Sequence, residues 1–303
     1  MSRIALISPG AMGTAVGRTL LSQGHQILCD VADRSLATRQ RAEAAGFVSA
    51  MSFDDAVLGA DIVLSLVPPS QALPVARRYA ASIALDGAAG RRSKRLFVDG
   101  NAISPQTAME IFDAVAGVGA RAVDCSIFGP ADVLGASNVL VFSGADAASM
   151  AALFVPVVET RLAGGRFGDA SSVKMALSIM TKALPALFLE AACASAASGQ
   201  LDVMVSLFER LYPGIMSFIG RSLPTYPRHV ARRLDEMREV ETWLRELGQM
   251  AEMTRSARHN LERLHHAALS GERKWDLLRL LDAVAERGIL DERLRAPPSR
   301  VPA

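Results

Sequence analysis

The sequence predicts an α/β N-terminal domain built on a mostly parallel sheet, followed by an all-α C-terminal domain. Three observations carry this. Short apolar runs of strand length alternate with helical stretches through the first half of the chain. Those runs are continuously apolar rather than alternating, as expected for strands covered on both faces in βαβ units. Beyond about Gly168 the strand signal stops, and long helical patterns with interspersed charge take over. The expected division lies between residues 167 and 168, giving domains over 1–167 and 168–303.

Taken in order, Arg3 to Ile7 reads as a buried strand, followed by a Gly/Pro turn and an apolar-periodic helix from Met12 to Gln23. His25 to Cys29 makes a second strand, and Ser35 to Ala45 an Ala- and Arg-rich helix. Ile62 to Val67 is a continuous apolar strand bounded by Asp61 and by Pro68 and Pro69. Leu96 to Val98, Ala120 to Asp124 and Val139 to Ser143 complete the strands. Ala170 to Ser195 and His229 to Leu247 are the long helices, punctuated by Pro213, Pro224 and Pro227. In the latter, Arg and Glu surround Leu234, Met237, Val240, Trp243, Leu244 and Leu247, the pattern of an amphipathic core helix with a solvated face. The tail from Arg295 to Ala303, with three prolines, is expected to be loose.

Composition excludes several classes. Half of the residues are hydrophobic and 21% charged, so the chain folds. A net charge of +2 supplies no field for capturing nucleic acid or an anionic membrane. Cys29, Cys125 and Cys193 are widely spaced, which fits a reducing cytoplasm and neither a disulfide framework nor a zinc site. The apolar stretch Met175 to Ala194 is interrupted by Lys182, Pro185 and Glu190, so a core helix is expected there rather than a membrane span. His259, Glu262 and His266 fall at helical spacing, but Arg258 and Arg263 flank them and no metal is expected. Only four of the 33 basic residues are lysines, Lys94, Lys174, Lys182 and Lys274. A lysine can donate a proton and take it back, whereas an arginine cannot.

Ser8-Pro9-Gly10-Ala11-Met12-Gly13 lies between the first strand and the first helix. A G-x-G-x-x-G loop at that place lets backbone amides approach a dinucleotide pyrophosphate at the helix N-terminus. Ser8 replaces the first glycine, while Gly10 and Gly13 keep the two sterically demanding positions. The domain is therefore expected to be Rossmann-type, with Pro9, Gly10, Ala11, Met12 and Gly13 as cofactor contacts. At the end of the second strand Asp30 and Asp33 would suit a ribose 2′-hydroxyl, and Arg34, Ser35, Arg39 and Arg41 a 2′-phosphate. Arg34 and Ser35 tip the expectation towards NADP, with NAD as the alternative.

These residues resemble the 6-phosphogluconate dehydrogenase-like, β-hydroxyacid dehydrogenase superfamily. The resemblance rests on PGAMGTAVGRTLLSQGH (9–25), ADIVLSLVPPSQA (60–72), VDGNAISPQTA (98–108) and GDASSVKMALSIMTKA (168–183). Within it, Arg34-Ser35, DCSIFGP (124–130), the spacing of Lys174 and Lys182, and Glu236-Met237 are similar to a little-characterised bacterial branch of NAD(P)-dependent oxidoreductases with a C-terminal domain of unknown function. The resemblance implies that Val67, Pro68 and Pro69 lie along the nicotinamide half of the cofactor and Asn101 beside its ribose. It implies a site in the cleft between the domains, a helical domain used for homodimer formation, and Lys174 as general acid/base for a carbonyl or secondary alcohol. Lys182, about 80° round the helix and about 12 Å further along, is too distant to share one reacting oxygen and takes a supporting place.

The sequence departs from the superfamily in the loop that holds a substrate carboxylate, usually D-x-P-V-S-G-G. Here Phe128 stands for the serine, and Pro130 removes an amide donor. The asparagine expected after the catalytic lysine is replaced by Leu177 and Ser178. A bulkier or more apolar substrate is expected than a small, highly charged hydroxy acid. Asp124, Ser126, Phe128, Gly129, Ser178 and Lys182 are the expected substrate contacts, with Ser126 and Asn101 joining Lys174 as catalytic candidates. Two other functions fit the pattern. Imine reductases share the architecture but generally lack a lysine at the place of Lys174, and a dinucleotide-binding sensor or dimerisation protein would explain Ser8 and the missing asparagine.

Overall fold

The computed structural model describes residues 1–86, 95–131, 133–269 and 275–291. Lys94, Lys274 and the proline-rich tail lie outside the described residues. The chain divides into two compact units, Met1–Leu177 and Ser178–Ala303.

The first unit is an eight-stranded sheet. Its strands are β1 (Arg3–Ile7), β2 (Gln26–Cys29), β3 (Val48–Ser49), β4 (Ile62–Ser65), β5 (Leu96–Asp99), β6 (Arg121–Phe128), β7 (Val139–Ser143) and β8 (Glu159–Gly164). They lie in the order β3-β2-β1-β4-β5-β6-β7-β8. All neighbours are parallel except β6 and β7. Strand order reverses between β1 and β4, the switch point at whose carboxyl edge doubly wound sheets bind ligands.

Continuous apolarity of the strands has its reason in the two cores. Ile4, Leu6, Leu64, Val98 and Val123 face one side, with Val16 and Leu20 of α1 (Ala11–Ser22), Ala42 of α2 (Leu36–Ala44) and, after β7, Met150 of α6 (Ala147–Ala152). Ala5, Ile7, Val63, Phe97 and Ala122 face the other, against α3 (Phe53–Leu58), α4 (Pro69–Leu85) and α5 (Pro105–Ala116). Successive residues point to opposite faces, so a strand buried on both must be apolar throughout.

Three differences from the sequence expectation have local causes. Strand β4 stops at Ser65 because the Val67 amide donates to Asn101 Oδ1 at 2.6 Å instead of continuing the ladder. Strand β6 runs on through Asp124 to Phe128, a stretch expected as a loop, because β7 pairs with it antiparallel from Asp124–Ser143 to Phe128–Val139. Strands β3 and β8 carried no apolar signal, and both are exposed along nearly their whole length. Glu159 and Arg161 on β8 are charges that protect a sheet edge from further pairing.

Helix α7 (Asp169–Ala197) gives its first turns to the first unit and the rest to the second. Hydrogen bonds to β6 and β7 bind its start to the sheet, which is why the division falls at Leu177/Ser178 and ten residues after the expected boundary. By length and composition alone α7 could cross a membrane. Its Ala186, Phe188, Leu189 and Ala192 are instead buried in the core of the second unit. That unit adds α8 (Leu201–Leu211), α9 (Pro213–Ser222), a 3₁₀ turn (Leu223–Thr225), α10 (Tyr226–Glu246), α11 (Glu252–His266) and α12 (Leu277–Glu286). The amphipathic pattern of α10 is realised as Val230, Leu234, Met237 and Val240 inside.

Candidate active site

The glycine loop follows β1 and leads into α1. Ser8 has φ 71°, the left-handed conformation that a glycine would adopt without strain. The Gly10 amide donates to Ser8 O at 2.8 Å, closing the turn. A Cβ at Gly13 would lie 2.5 Å from that same Ser8 oxygen, so glycine is required there. A Cβ at Gly10 would meet nothing within 4 Å, which leaves open space in front of the loop. Gly10 is also the N-cap of α1, and no side chain among the described residues caps the helix. Uncapped amides at a helix start with clear space before them suit a pyrophosphate. Arg41, from the last turn of α2, donates to Pro9 O at 3.2 Å and ties α2 to the loop. Nothing in the sequence marked Arg41 apart from its neighbours.

After β2, the Asp30 carboxylate accepts from the Ala32 amide at 3.1 Å. Arg34 is exposed, and Ser35 is the N-cap of α2, accepting from the Thr38 amide at 3.3 Å. This part of the unit sets an exposed arginine beside a helix N-terminus.

At the carboxyl edge, Ser65 of β4, Asp99 of β5 and Asp124 of β6 stand in register. Asn101 is 3% exposed and spans the first two strands. Its Nδ2 donates to Asp99 Oδ2 at 2.8 Å and Ser65 Oγ at 3.2 Å, while Oδ1 accepts from Val67 N. The side chain thus fixes the start of the Val67-Pro68-Pro69 segment.

Asp124 is fully buried and its oxygens accept four hydrogen bonds. Ser171 N and Ser171 Oγ donate at 2.8 Å each, Ser143 Oγ at 3.0 Å and Gly168 N at 3.1 Å. Burial pushes its carboxyl up from the ordinary range, and these donors pull it back down. Ser126 Oγ donates to Ala170 O at 3.0 Å, and Ala170 N donates to Ser143 Oγ at 2.9 Å. Asp124 and Ser126, expected as substrate contacts, therefore meet the start of α7 in this structure. Lys174 follows on that helix, half-buried, its ammonium donating to Ile127 O at 2.6 Å and lying 4.6 Å from the centre of the Phe128 ring. Gly129 has φ 110°, and a Cβ there would lie 2.5 Å from Ser137 O. Asn138, which the sequence did not single out, holds this bend by donating to Phe128 O at 3.3 Å and Pro130 O at 2.9 Å. Cys125 is buried, and its thiol is pushed far up by burial and by the charges of Asp124 and Asp99. It is a packed thiol rather than a nucleophile.

In the second unit Ser178 and Lys182 come together, Lys182 Nζ donating to Ser178 Oγ at 3.1 Å. Lys182 is 8% exposed and forms an ion pair with Glu236, itself 2% exposed. Glu236 also pairs with Arg232. Of the residues flagged for metal spacing, Glu262 pairs with Arg258 and is joined by no metal-ligand cluster among the described residues.

A doubly wound sheet with strand order 3-2-1-4-5-6, a glycine loop open at its switch point and an uncapped helix behind it define a nicotinamide-dinucleotide-binding domain. Residues 3–160 match the NAD-binding domain of 6-phosphogluconate dehydrogenase, and the chain belongs to that family. Residues 196–264 match a domain of unknown function, DUF1932. An uncharacterized 28.5 kDa protein of Methanothermus fervidus is 27% identical over 243 residues, 80% of this chain and 90% of its own length. Among solved structures, the conserved protein MTH1747, of unknown function and described as similar to 3-hydroxyacid dehydrogenases, is 27% identical with a TM-score of 0.65, covering 88% of this chain and 98% of that one. The 3-hydroxyisobutyrate dehydrogenase of Mycobacterium tuberculosis shares the fold at 16% identity and a TM-score of 0.67, over 89% of this chain and all of that one.

Proposed function

We propose that the chain is an NADP-preferring oxidoreductase that exchanges hydride between the nicotinamide and a carbonyl or secondary-alcohol carbon, with Lys174 as general acid/base. The observation that carries this is the setting of Lys174. Its helix start is anchored by Asp124, Ser126 and Ser143, and its ammonium is held at the Ile127 carbonyl beside Phe128. An acid/base must be fixed in place before it can meet a reacting oxygen. Asp124 and Ser126 act in this reading as positioning residues. Bound cofactor would supply or accept the hydride. Pro9 to Gly13 would hold its pyrophosphate, Arg34 and Ser35 the 2′-phosphate, and Asn101 with Val67, Pro68 and Pro69 the nicotinamide end. Phe128 and Gly129 would meet the substrate, while Ser178 and Lys182 have a supporting place.

The helical unit serves homodimer formation in the same proposal. Val203, Leu207, Leu211 and Tyr212 are each half or more exposed along α8 and its end, a stripe suited to a second copy. The free thiols Cys29, Cys125 and Cys193 suit the reducing cytoplasm.

Purified protein is expected to bind NADPH more tightly than NADH, measured by nicotinamide fluorescence. Lys174→Ala and Lys174→Arg should keep that binding and lose turnover by at least about 100-fold against the best substrate of an aldehyde, ketone and cyclic-imine screen. Binding of neither reduced nicotinamide would end the proposal, and turnover of imines alone would replace its carbonyl chemistry.

A further inference from the structure

One face of α10 gathers positive charge around a buried guanidinium nitrogen that has no hydrogen-bond partner among the described residues. Tyr226, His229, Arg233 and Glu236 recur on it at spacings of three and four, and Tyr226 Oη donates to Thr181 O of α7 at 3.2 Å, beside Lys182. Glu236 is shared between Lys182 and Arg232, and Asp235 is engaged by Arg238 at 2.8 Å. Arg233 is left without an ion pair among the described residues. Its guanidinium carbon lies over the Tyr226 ring, 3.8 Å from the centre, and Nη2 donates to Thr225 Oγ1 at 2.8 Å. Its Nη1 is buried and has no partner among the described residues. A guanidinium held by a ring contact and one hydrogen bond, with Nη1 unsatisfied, keeps a donor for an oxyanion.

The electrostatics agree. Burial, followed by the charges of Arg233, Arg232 and Arg228, holds His229 down to about 4, so its imidazole is neutral at pH 7 and offers an N–H. Arg233 is itself held down to about 10, chiefly by burial. A half-exposed Arg232 and an exposed Arg228 lead from solvent to this interior pair. Glu236 offsets part of this, but a buried guanidinium nitrogen without a partner is costly, and a bound anion removes the cost.

We infer that the α10 face bearing His229 and Arg233, with Lys182 behind it, is a binding site for a doubly charged oxyanion of phosphate or phosphonate type. Arg228, Arg232 and Arg233 all bear on His229, while Glu236 is divided between Lys182 and Arg232. A dianion balances these charges better than a carboxylate does. The assignment is independent of the acid/base role of Lys174.

The test is calorimetric titration of the full chain with inorganic phosphate at low ionic strength. Wild type is expected to show a phosphate site that persists in Gly10→Ala, whose glycine loop is impaired, and Arg233→Met to weaken that site at least about tenfold. Arg161→Gln, which removes an exposed arginine on β8, should leave it unchanged. Arg233→Lys keeps the charge without the fork and should weaken binding by about threefold or more, which covers the case of a poorly folded Arg233→Met. Methylphosphonate should compete with phosphate, and acetate should not. No phosphate binding by wild type, or equal weakening by Arg161→Gln and Arg233→Met, would overturn the site, and equal competition by acetate would overturn its dianion preference. NADPH affinity measured on the same proteins separates the two proposals, since its absence with phosphate binding retained refutes only the oxidoreductase.

Discussion

Replacing Asp124 by alanine tests whether this carboxylate holds the helix that carries Lys174. Of its four donors, the hydroxyls of Ser143 and Ser171 can turn to other acceptors, but the amides of Gly168 and Ser171 are fixed in the backbone. Two buried amides left unpaired cost about 1–3 kcal/mol each. Removing a buried carboxylate recovers part of its desolvation penalty, so the net loss is about 3 kcal/mol. With a urea slope of about 3 kcal/mol/M for a chain of this size, the unfolding midpoint should fall by about 1 M. Asp124→Asn keeps one acceptor and should cost about 1–2 kcal/mol. Urea unfolding followed by circular dichroism reads both, alongside kcat and KM on the same proteins. A midpoint within about 0.2 M of wild type, together with a raised KM, would refute the anchoring role and return Asp124 to the substrate.

The glycine loop gives a paired prediction. Gly10→Ala meets open space and should change stability by less than about 0.5 kcal/mol while weakening NADPH at least about tenfold, whereas Gly13→Ala must displace the Ser8 carbonyl and should lower both, read by thermal melts and fluorescence titration. Ser8→Gly relieves a left-handed φ of 71° and should stabilise by about 0.5–1 kcal/mol in the same melts, with NADPH binding retained. His229 is held down to about 4 from 6.5, so its contribution to stability is present above pH 6.5 and is lost as pH falls towards 4. His229→Asn should therefore flatten the acid side of the stability profile between those values, and an unchanged slope would show that the ring is not depressed.

What the sequence determined by itself was whatever depends on neighbours along the chain. Two-sided burial writes a strand as a continuous apolar run, so β1, β4 and β7 were legible, and a close approach of backbone demands glycine, so Gly10 and Gly13 were too. Lys174 was visible through its motif. Edge strand β8 was not, because exposed Glu159 and Arg161 carry no apolar pattern. Tertiary structure alone decided what each polar group spends its hydrogen bonds on. Asp124 meets Ser171, 47 residues away, and Asn101 meets Val67, 34 residues away. Arg41 reaches Pro9, Asn138 spans the bend at Gly129, and Lys182 finds Glu236 across two helices. A polar side chain is costly to bury anywhere in a chain, and only the fold brings the distant donor or counter-charge that makes its burial tolerable.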